Sequence, residues 1–227
     1  MNCNNGSEAL RVLNEEIIAC KQCARLIRHC RETAAIKRRA FRDWDYWGRP
    51  VPSFGDPSAR MLILGLAPAA HGANRTGRMF TGDRSGDFLY RALHKAGFAS
   101  QAVARSADDG LALRDVWITA SAHCAPPGNK PSPEELRNCR RFLDRELKLL
   151  TGLKLVVVLG KIAMDVYAAT RGARGLKFGH NLLYDKLEPP VLCSYHPSQQ
   201  NTSTGRLTEA MLDDVFTRAR QILTSSR

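Results

Sequence analysis

The sequence predicts an α/β protein in three α/β/α layers, with helices on both faces of a central four-stranded parallel sheet. The first observation is a set of four apolar runs of strand length that each end at a loop signal: MLILGL (61–66), DVWITA (115–120), LVVVLG (155–160) and VLCSY (191–195). Runs that are apolar at successive positions are typical of strands covered on both faces. The second observation is that helical segments lie between these runs, because strands that alternate with helices form parallel sheets through right-handed crossovers.

Four helices are predicted between and after the strands, over 84–96, 133–150, 161–170 and 208–223. The second has the clearest start, since Ser132-Pro133-Glu134-Glu135 is a capping box with proline at the first helical position. The segment 97–113 has the weakest signal for ordered packing, and we expect a surface insertion there.

The N-terminal part of the chain predicts a basic helical arm over about residues 8–42. Apolar residues recur there at helical spacing, and between Lys21 and Arg42 eight lysines and arginines face a single acid, Glu32. An aromatic and proline-rich stretch follows, and its aromatic side chains have enough apolar surface to order it as a loop. Many charges of the arm are also what a solvated helix face would carry.

Composition limits the classes of protein and partner. The chain has 227 residues, 44% hydrophobic and 25% charged, which excludes wholesale disorder and collagen-like structure. That length predicts a single domain over residues 1–227. The net charge of +12 favours a polyanionic partner, most often nucleic acid. No apolar run approaches the roughly 18 residues that span a bilayer, and the N-terminus is polar and acidic, so we expect a cytoplasmic protein with no membrane partner.

Four of the seven cysteines have a spacing that predicts a metal site. Cys20 and Cys23 form a C-x-x-C pair at the head of the basic segment, Cys124 follows the second strand, and Cys139 lies in the capped helix. Four thiolates from two distant segments suit either structural zinc or an iron–sulfur cluster, and spacing alone does not choose between them. Such a site would tie the arm to the core. The alternative is that small buried cysteines fill core space, which we expect of Cys193.

Ligands of open parallel sheets bind at the carboxyl ends of the strands, and two loops there have unusual sequence. The glycine-rich segment 65–86 has neither a dinucleotide fingerprint nor a P-loop, and its Asp83 precedes a helix, where it serves either as an N-cap or as a catalytic carboxylate. Phe80 fits plain core as well as a ligand site. The segment 194–211 places His196 at the mouth of the predicted crevice, among side chains that suit either phosphate contacts or a turn-rich surface loop.

Five segments, taken in their order and spacing, are specific enough to identify a family. They are C-x-x-C at 20–23, DWDYWGRPVPSFGDP at 43–57, GLAPAAHGANRTGRMFTGD at 65–83, CAPPGNKPSPEE at 124–135 and HPSQQNTSTGRLT at 196–208. From about Cys20 to Met211 the chain therefore resembles the type-5 (B-type) uracil-DNA glycosylases. The resemblance implies the uracil-DNA-glycosylase fold, base-excision repair of deaminated bases in DNA, and a [4Fe–4S] cluster on Cys20, Cys23, Cys124 and Cys139.

The resemblance also implies roles at the active site, and the chemistry of the reaction makes these roles reasonable. Breaking the N-glycosidic bond leaves a positively charged sugar and an anionic base, so a site must stabilise charge of both signs. Asp83 matches the carboxylate beside the sugar, His196 the group that stabilises the departing base, and Phe80 the aromatic that stacks on it. The backbone of Ala67, Pro68 and Ala69 would line the base. Since that segment carries no acid or amide, the water-activating group has to come from elsewhere, which favours Asp83.

Contacts to DNA are predicted on both loops, at Asn74, Arg75, Ser198, Gln200, Asn201 and Arg206. The loop around Gln200 lies where relatives insert residues into the base stack. Alignment through the CAPP segment places Ala120 where several relatives have an asparagine that reads the base. Losing that amide should loosen discrimination, so we expect a substrate range that includes hypoxanthine besides uracil.

The sequence therefore predicts a monofunctional DNA glycosylase, because no lysine is placed to form a Schiff base, and we expect it to be a monomer. Two alternatives stay open: a non-catalytic or damage-sensing DNA-binding protein that keeps the cluster, and a nucleic-acid module built on four-cysteine zinc. A Rossmann enzyme for small molecules is disfavoured by the missing phosphate fingerprint and by the charge.

Overall fold

A computed structural model describes residues 3–225 of the chain, with side chains from residue 6 onward. Its centre is a six-stranded sheet in the order β1-β3-β2-β4-β6-β5. The four inner strands are parallel and correspond to the four apolar runs: β2 (Met61–Gly65), β3 (Val116–Ala120), β4 (Leu155–Leu159) and β6 (Val191–Ser194). The predicted four-stranded parallel centre is confirmed.

The strand count requires a correction, because two further strands lie at the sheet edges. Strand β1 (Phe54–Gly55) pairs antiparallel with β3, and β5 (Leu183–Tyr184) pairs antiparallel with β6. Each has only two residues, which is too short to leave an apolar pattern in the sequence. The complete sheet is therefore mixed rather than purely parallel.

Eight helices surround the sheet in the described part of the chain. They are α1 (Cys3–Ala19), α2 (Ala24–Ile36), α3 (Ala73–Thr76), α4 (Arg84–Lys95), α5 (Pro133–Leu149), α6 (Lys161–Thr170), α7 (Gln199–Ser203) and α8 (Glu209–Ser225), with short 3₁₀ turns at Arg39–Phe41 and Pro127–Asn129. The predicted capping box at the start of α5 is present, since Ser132 accepts from the Glu135 amide while the Glu135 carboxylate accepts from Ser132 N.

Alternate residues of the inner strands feed two separate cores. Ile63, Ile118 and Val157 pack with α4 and α8 on one face of the sheet, whereas Leu62, Leu64 and Val158 pack with α1, α5 and α6 on the other. Successive side chains of a strand point to opposite faces, so an uninterrupted apolar run covers both. The result is the three-layer α/β/α arrangement, as predicted.

The arm differs from the prediction because its helical pattern is split into α1 and α2 by Cys20–Cys23. Helix α1 packs on α5 through Leu13, Ile17 and Phe142. Helix α2 is attached by a bidentate ion pair, in which Arg25 Nε and Nη2 donate to the Glu135 carboxylate at 2.8 and 2.7 Å. The helix break thus occurs at the predicted metal ligands.

The expectation of a surface insertion at 97–113 is wrong. Phe98, Ala104 and Leu111 of this segment are buried. The Asp109 carboxylate accepts from three backbone amides of the segment and from Arg78 Nη2 at 2.8 Å. This ordered loop packs against the sheet-end loops. No helix within residues 3–225 is long and apolar enough to cross a membrane.

Candidate active site

A cavity of about 1680 Å³ opens at the carboxyl ends of the parallel strands. It is lined by the loop after β2, the start of α4, the 97–113 loop, the 3₁₀ turn at Pro127–Asn129, the loop after β6 and the end of the N-terminal arm. Both predicted catalytic residues, Asp83 and His196, line this cavity. The structure therefore brings together two side chains that are more than a hundred residues apart in the chain.

Asp83 occupies the N-cap position and also lines the cavity, so its placement is compatible with both of the roles considered from the sequence. It is the N-cap of α4, where its Oδ1 accepts a hydrogen bond from Gly86 N at 3.0 Å. Its other oxygen, Oδ2, lies against Gly72 at the cavity wall, so close that a Cβ built on Gly72 would be 2.0 Å away. One oxygen is thereby fixed by the helix while the carboxylate still borders the cavity.

The electrostatics of Asp83 combine opposing effects. Burial raises its pKa above the usual aspartate value, while the amides of Gly86 and Ser85 and the charge of Arg75 act in the opposite direction. A buried carboxylate supported by backbone N–H groups and a helix N-terminus is a strong stabiliser of nearby positive charge. It is also poorly hydrated, which suits a group that must hold one water molecule.

His196 is held as a neutral imidazole. Burial lowers its pKa to about 4, so the ring is uncharged at pH 7. Asn201 Nδ2 donates to the His196 carbonyl at 2.8 Å and braces the loop that carries it. The ring lies 5.9 Å from that of Phe80, centroid to centroid, at an interplanar angle of 31°. Gly160 lies next to His196, and a Cβ built on this glycine would be 3.5 Å from the His196 Cβ.

Phe80 has a strained and specific position. Its φ is 52°, in the left-handed region that aromatic residues rarely adopt. Its ring covers Gly65, where a Cβ would lie 2.8 Å from Phe80 Cζ. This conformation places an aromatic ring beside His196, and strain of this kind is typical of functional sites.

The remaining predicted base-binding residues occupy different depths. Ala67 and Ala69 line the cavity, as predicted. Pro68 is buried between them and does not line it. Ala120 ends β3 with 3% of its surface exposed and is likewise not a lining residue. The wall of the cavity formed by the loop after β2 therefore carries the small apolar side chains of Ala67 and Ala69.

Two predicted DNA contacts need correction. Asn74 is fully buried, and its Nδ2 donates to the carbonyls of Cys30 and Ala70, both at 3.3 Å. Arg75 is 3% exposed and donates to the carbonyls of His71 and Gly82. Neither side chain presents a donor to a phosphate outside the protein, because both hold the cavity loop together from within.

The other predicted DNA contacts lie nearer the surface. Ser198 and Gln200 line the cavity, and Ser198 also caps α7 through a hydrogen bond from Asn201 N. Arg206 is exposed outside the cavity lining, with its guanidinium 4.7 Å from the centre of the Tyr195 ring. Asn201 is engaged with the backbone of His196 and is not a lining residue.

The sequence did not single out a ring of cations that surrounds the cavity. Its members are exposed, line the cavity and form no ion pair within residues 6–225: Arg38, Arg84, Arg105 and Lys130. We call them the basic rim. Arg38 belongs to the basic segment that the sequence singles out, but for the other three the total charge of the chain was the only signal, because the four residues come from separate segments. Unpaired cations around one opening attract a polyanion.

The four predicted metal-binding cysteines line a second, smaller cavity at the junction of the arm with α5. Three of their sulfurs have N–H donors nearby: Asn138 Nδ2 lies 3.6 Å from Cys23, Arg141 Nη2 3.5 Å from Cys20, and His123 N 3.3 Å from Cys139. Such donors stabilise thiolates that bind metal. No three His, Cys, Asp or Glu side chains of the described residues converge as closely as a single metal ion requires. Cys193, by contrast, is buried in β6, in the core-filling position predicted for it.

Comparison with known proteins gives one consistent result. A family model described as the uracil DNA glycosylase superfamily matches residues 52–220. Type-5 uracil-DNA glycosylase of Mycobacterium bovis is 49% identical over 222 residues, 96% of this chain and 83% of that protein. The type-5 enzymes of Mycobacterium leprae and Thermus thermophilus are 46% and 48% identical, over 96% and 92% of this chain and 98% and 95% of their own.

Proposed function

The chain belongs to the uracil DNA glycosylase superfamily, and from this premise we propose that it hydrolyses the N-glycosidic bond of uracil in DNA as a monofunctional enzyme of base-excision repair. The observation that carries this function is the placement of Asp83 and His196 on one cavity with opposite electrostatic tasks. The similarity to type-5 uracil-DNA glycosylases extends over nearly the whole chain.

The target nucleotide has to leave the duplex, because its glycosidic bond is out of reach inside the stack. The cavity is large enough for a flipped nucleotide and the adjoining backbone, and the basic rim supplies charge for the phosphates. Ser198 and Gln200 line the cavity, where they can contact the space that the flipped nucleotide leaves in the duplex or the DNA strand next to it. Phe80 does not itself line the cavity, but its ring lies next to that of His196, so stacking on a flipped pyrimidine requires the base to reach beyond the present lining.

Bond cleavage generates a sugar with oxocarbenium character, and Asp83 stabilises it. The carboxylate is ionised for this role and fixed in direction by the Gly86 amide. Its free oxygen orients the water that attacks the anomeric carbon, and the proton released by that water passes to the solvent or to the carboxylate as the C–O bond forms.

The departing base leaves as an anion, and His196 stabilises it. Because the imidazole is neutral at pH 7, it acts by donating an N–H to a carbonyl oxygen of the base rather than by supplying a positive charge. Ring and carboxylate together lower the energy of both halves of the separated ion pair.

We also propose that Cys20, Cys23, Cys124 and Cys139 hold a [4Fe–4S] cluster. The donor set is all sulfur, the four thiols share one cavity, and three of them have N–H donors, which fits a thiolate-bound cluster. The choice of iron over zinc follows the family resemblance. When bound, the group would cross-link the arm to α5 and to the loop after β3, and its contribution is structural.

The substrate range follows from the small residues at the base site. Ala120 supplies no amide to read the base edge, and the alanines of the β2 loop supply no side-chain donors. With no side-chain reader on this wall besides His196, the site rejects related bases weakly, so hypoxanthine is proposed as a further substrate. Excision rates for uracil and hypoxanthine in one duplex context test this, and a preference for uracil of several orders of magnitude would contradict it.

We further propose that the protein acts as a monomer in the cytoplasm, at the nucleoid. All six cysteines with described side chains are free, as expected in a reducing compartment. Sedimentation at micromolar concentration tests the oligomeric state.

The decisive experiment is incubation of the purified protein with a uracil-containing duplex, followed by alkali and gel electrophoresis. Wild type should leave abasic sites that alkali cleaves, and Asp83→Ala should leave almost none. If wild type and variant both bind the duplex without producing abasic sites, the protein is a non-catalytic DNA-binding member of the superfamily.

A further inference from the structure

Arg75 is a buried cation that the reaction as derived above does not use. Only 3% of its surface is exposed, although it borders the cavity. Its Nε donates to the His71 carbonyl at 2.9 Å and its Nη2 to the Gly82 carbonyl at 2.8 Å, while Nη1 has no hydrogen-bond partner in the described residues. A buried guanidinium without a carboxylate partner is expensive, so its retention here calls for an explanation.

The guanidinium is held from the outside by two aromatic rings, one at the end of the N-terminal arm and one in the aromatic stretch that follows it. Its Cζ lies 3.9 Å from the centre of the Phe41 ring and 4.1 Å from that of Trp44. The backbone of α3 is tied to the same aromatic stretch, since Trp47 N donates to the Arg75 carbonyl at 3.0 Å. Cation–π contacts of this kind replace part of the lost hydration of an arginine.

The inner side of Arg75 faces the backbone that presents the catalytic carboxylate. Gly82, which accepts from Nη2, is the residue before Asp83 and has a φ of 82°, so the chain turns sharply there. A Cβ on Gly82 would lie 2.5 Å from Arg75 Nη2. The same residue is held from the opposite direction, because Gly82 N donates to the Ala104 carbonyl at 3.1 Å. Arg75 is thus one of two clamps on the turn that leads into Asp83.

We propose that Arg75 is a positioning residue for the reaction: it fixes the Gly82 turn that presents Asp83 to the cavity, and its charge stabilises the ionised carboxylate. This inference rests on the proposed function of Asp83. Phe41 and Trp44 then belong to the machinery as the support of Arg75, and the arm contributes to catalysis without touching the reacting atoms.

The charge of Arg75 has few competitors around Asp83. The carboxylate of Asp87, one turn along α4, disfavours ionisation of Asp83, and Arg75 on α3 favours it. The other ionisable groups that line this part of the cavity are His71, His196, Arg84 and Arg105. Both imidazoles have a lowered pKa, caused first by burial, and are neutral at pH 7. Loss of the guanidinium leaves the amides of Gly86 and Ser85 to favour the charge of Asp83, while burial and the Asp87 carboxylate act against it.

The test is the pH dependence of single-turnover uracil excision by wild type, Arg75→Gln and Arg75→Lys. We expect the acid limb to move to higher pH by about 1 unit in Arg75→Gln, the size typical of losing a nearby opposite charge. Arg75→Lys keeps the positive charge but loses the planar guanidinium that bonds two carbonyl groups at once. Its acid limb should therefore stay near that of wild type, while its excision rate falls at every pH.

Arg78→Gln is the matched control, because Arg78 is equally buried but donates to the Asp109 carboxylate and to the Thr81 hydroxyl instead of to the Gly82 carbonyl. It should lower thermal stability without moving the acid limb. Phe41→Leu and Trp44→Leu each remove one of the aromatic rings that pack on the Arg75 guanidinium. They should shift the acid limb in the same direction as Arg75→Gln, but by a smaller amount. The role of Arg75 is refuted if wild type excises uracil but the acid limb of the pH profile has the same position in Arg75→Gln, in the aromatic variants and in Arg78→Gln. A wild type that does not excise uracil would instead refute the proposed function.

Discussion

The Asp83 carboxylate occupies the space that a side chain at residue 72 would need. A Cβ on Gly72 would lie 2.0 Å from Asp83 Oδ2, far inside van der Waals contact. The glycine lies in the loop after β2 and the aspartate at the start of α4, so their contact sets how the loop and the helix close on the cavity. The absence of a side chain at residue 72 therefore allows the Asp83 carboxylate its present position.

Gly72→Ala should displace the Asp83 carboxylate and lower the single-turnover excision rate by roughly 100-fold, the effect expected of a misplacement of about 1 Å. Duplex affinity should change little, because the basic rim is untouched. Gly6→Ala is the control, since nothing lies within 4 Å of a Cβ there. Equal rates for Gly72→Ala and Gly6→Ala would show that Asp83 does not need its present position.

Asp83→Asn should abolish most activity and yet stabilise the fold. Asparagine keeps the N-cap acceptor for Gly86 but carries no charge to bury. Because burial raises the pKa of Asp83, the folded state binds its proton more tightly than the unfolded chain does. The free energy of unfolding of wild type therefore falls as pH rises from the usual aspartate range toward 7, and Asp83→Asn lacks that loss.

Thermal unfolding of both proteins at pH 7 and near pH 4 measures this effect. The variant should melt above wild type at pH 7, and the gap should narrow at the lower pH. A variant that melts below wild type at pH 7 would mean that the charged carboxylate stabilises the fold, contrary to the direction of its pKa.

The sequence predicts the parts of this molecule that are periodic or local. Strands β2, β3, β4 and β6 are apolar runs, and the α5 capping box is written in four consecutive residues. Edge strands β1 and β5 depend on pairing across the sheet, and the 97–113 loop depends on the Asp109 carboxylate, which leaves no periodic signal. Asp83 and His196 became candidates because they lie in loops that follow strands at the sheet edge where ligands bind, and their catalytic roles were implied by the family resemblance.

The proposed role of Arg75 could not be predicted from the sequence, because an arginine in a glycine-rich loop is typical of a phosphate contact. What buries it is a pair of rings more than thirty residues earlier, at Phe41 and Trp44. The basic rim was missed for a related reason, since only the folded chain brings its four segments to one opening.

His196→Asn should retain more activity than His196→Ala. Since the imidazole is neutral at pH 7, with its pKa lowered to about 4, an amide N–H can replace part of its hydrogen bond to the base. We expect the alanine variant to lose on the order of 100-fold in single-turnover rate, typical of one lost donor to a developing anion. The wild-type excision rate should not decline between pH 6 and 8, because the His196 imidazole is already neutral throughout that range and does not change its protonation state.

A wild-type rate that falls as pH rises through about 6.5, with no such fall in His196→Asn, would identify the imidazolium as the active form and contradict this account.

The basic rim should set the salt dependence of duplex binding. Arg38→Gln, Arg84→Gln, Arg105→Gln and Lys130→Gln should each weaken binding and reduce the slope of log affinity against log salt by about 1 if the cation meets a phosphate. Arg11→Gln is the control, because this exposed arginine on α1 is paired with Glu8 and Glu15 outside the cavity lining. A rim variant with the slope of Arg11→Gln does not contact a phosphate.

Serine variants of the four cavity cysteines should lose bound iron and, with it, the anchoring of the arm. Anaerobically purified wild type should be brown and contain about four irons per chain, as expected for one cubane cluster. Cys139→Ser should be pale and should melt at a lower temperature, because the arm would lose the cross-link of the cluster to α5 and keep its apolar packing and ion pairs there. Cys193→Ser is the control: it also places a hydroxyl at a buried thiol, but within β6, so it should lower stability while retaining the iron and the colour. A colourless wild type that contains one zinc ion would exclude the cluster and leave the four thiols as a structural zinc site.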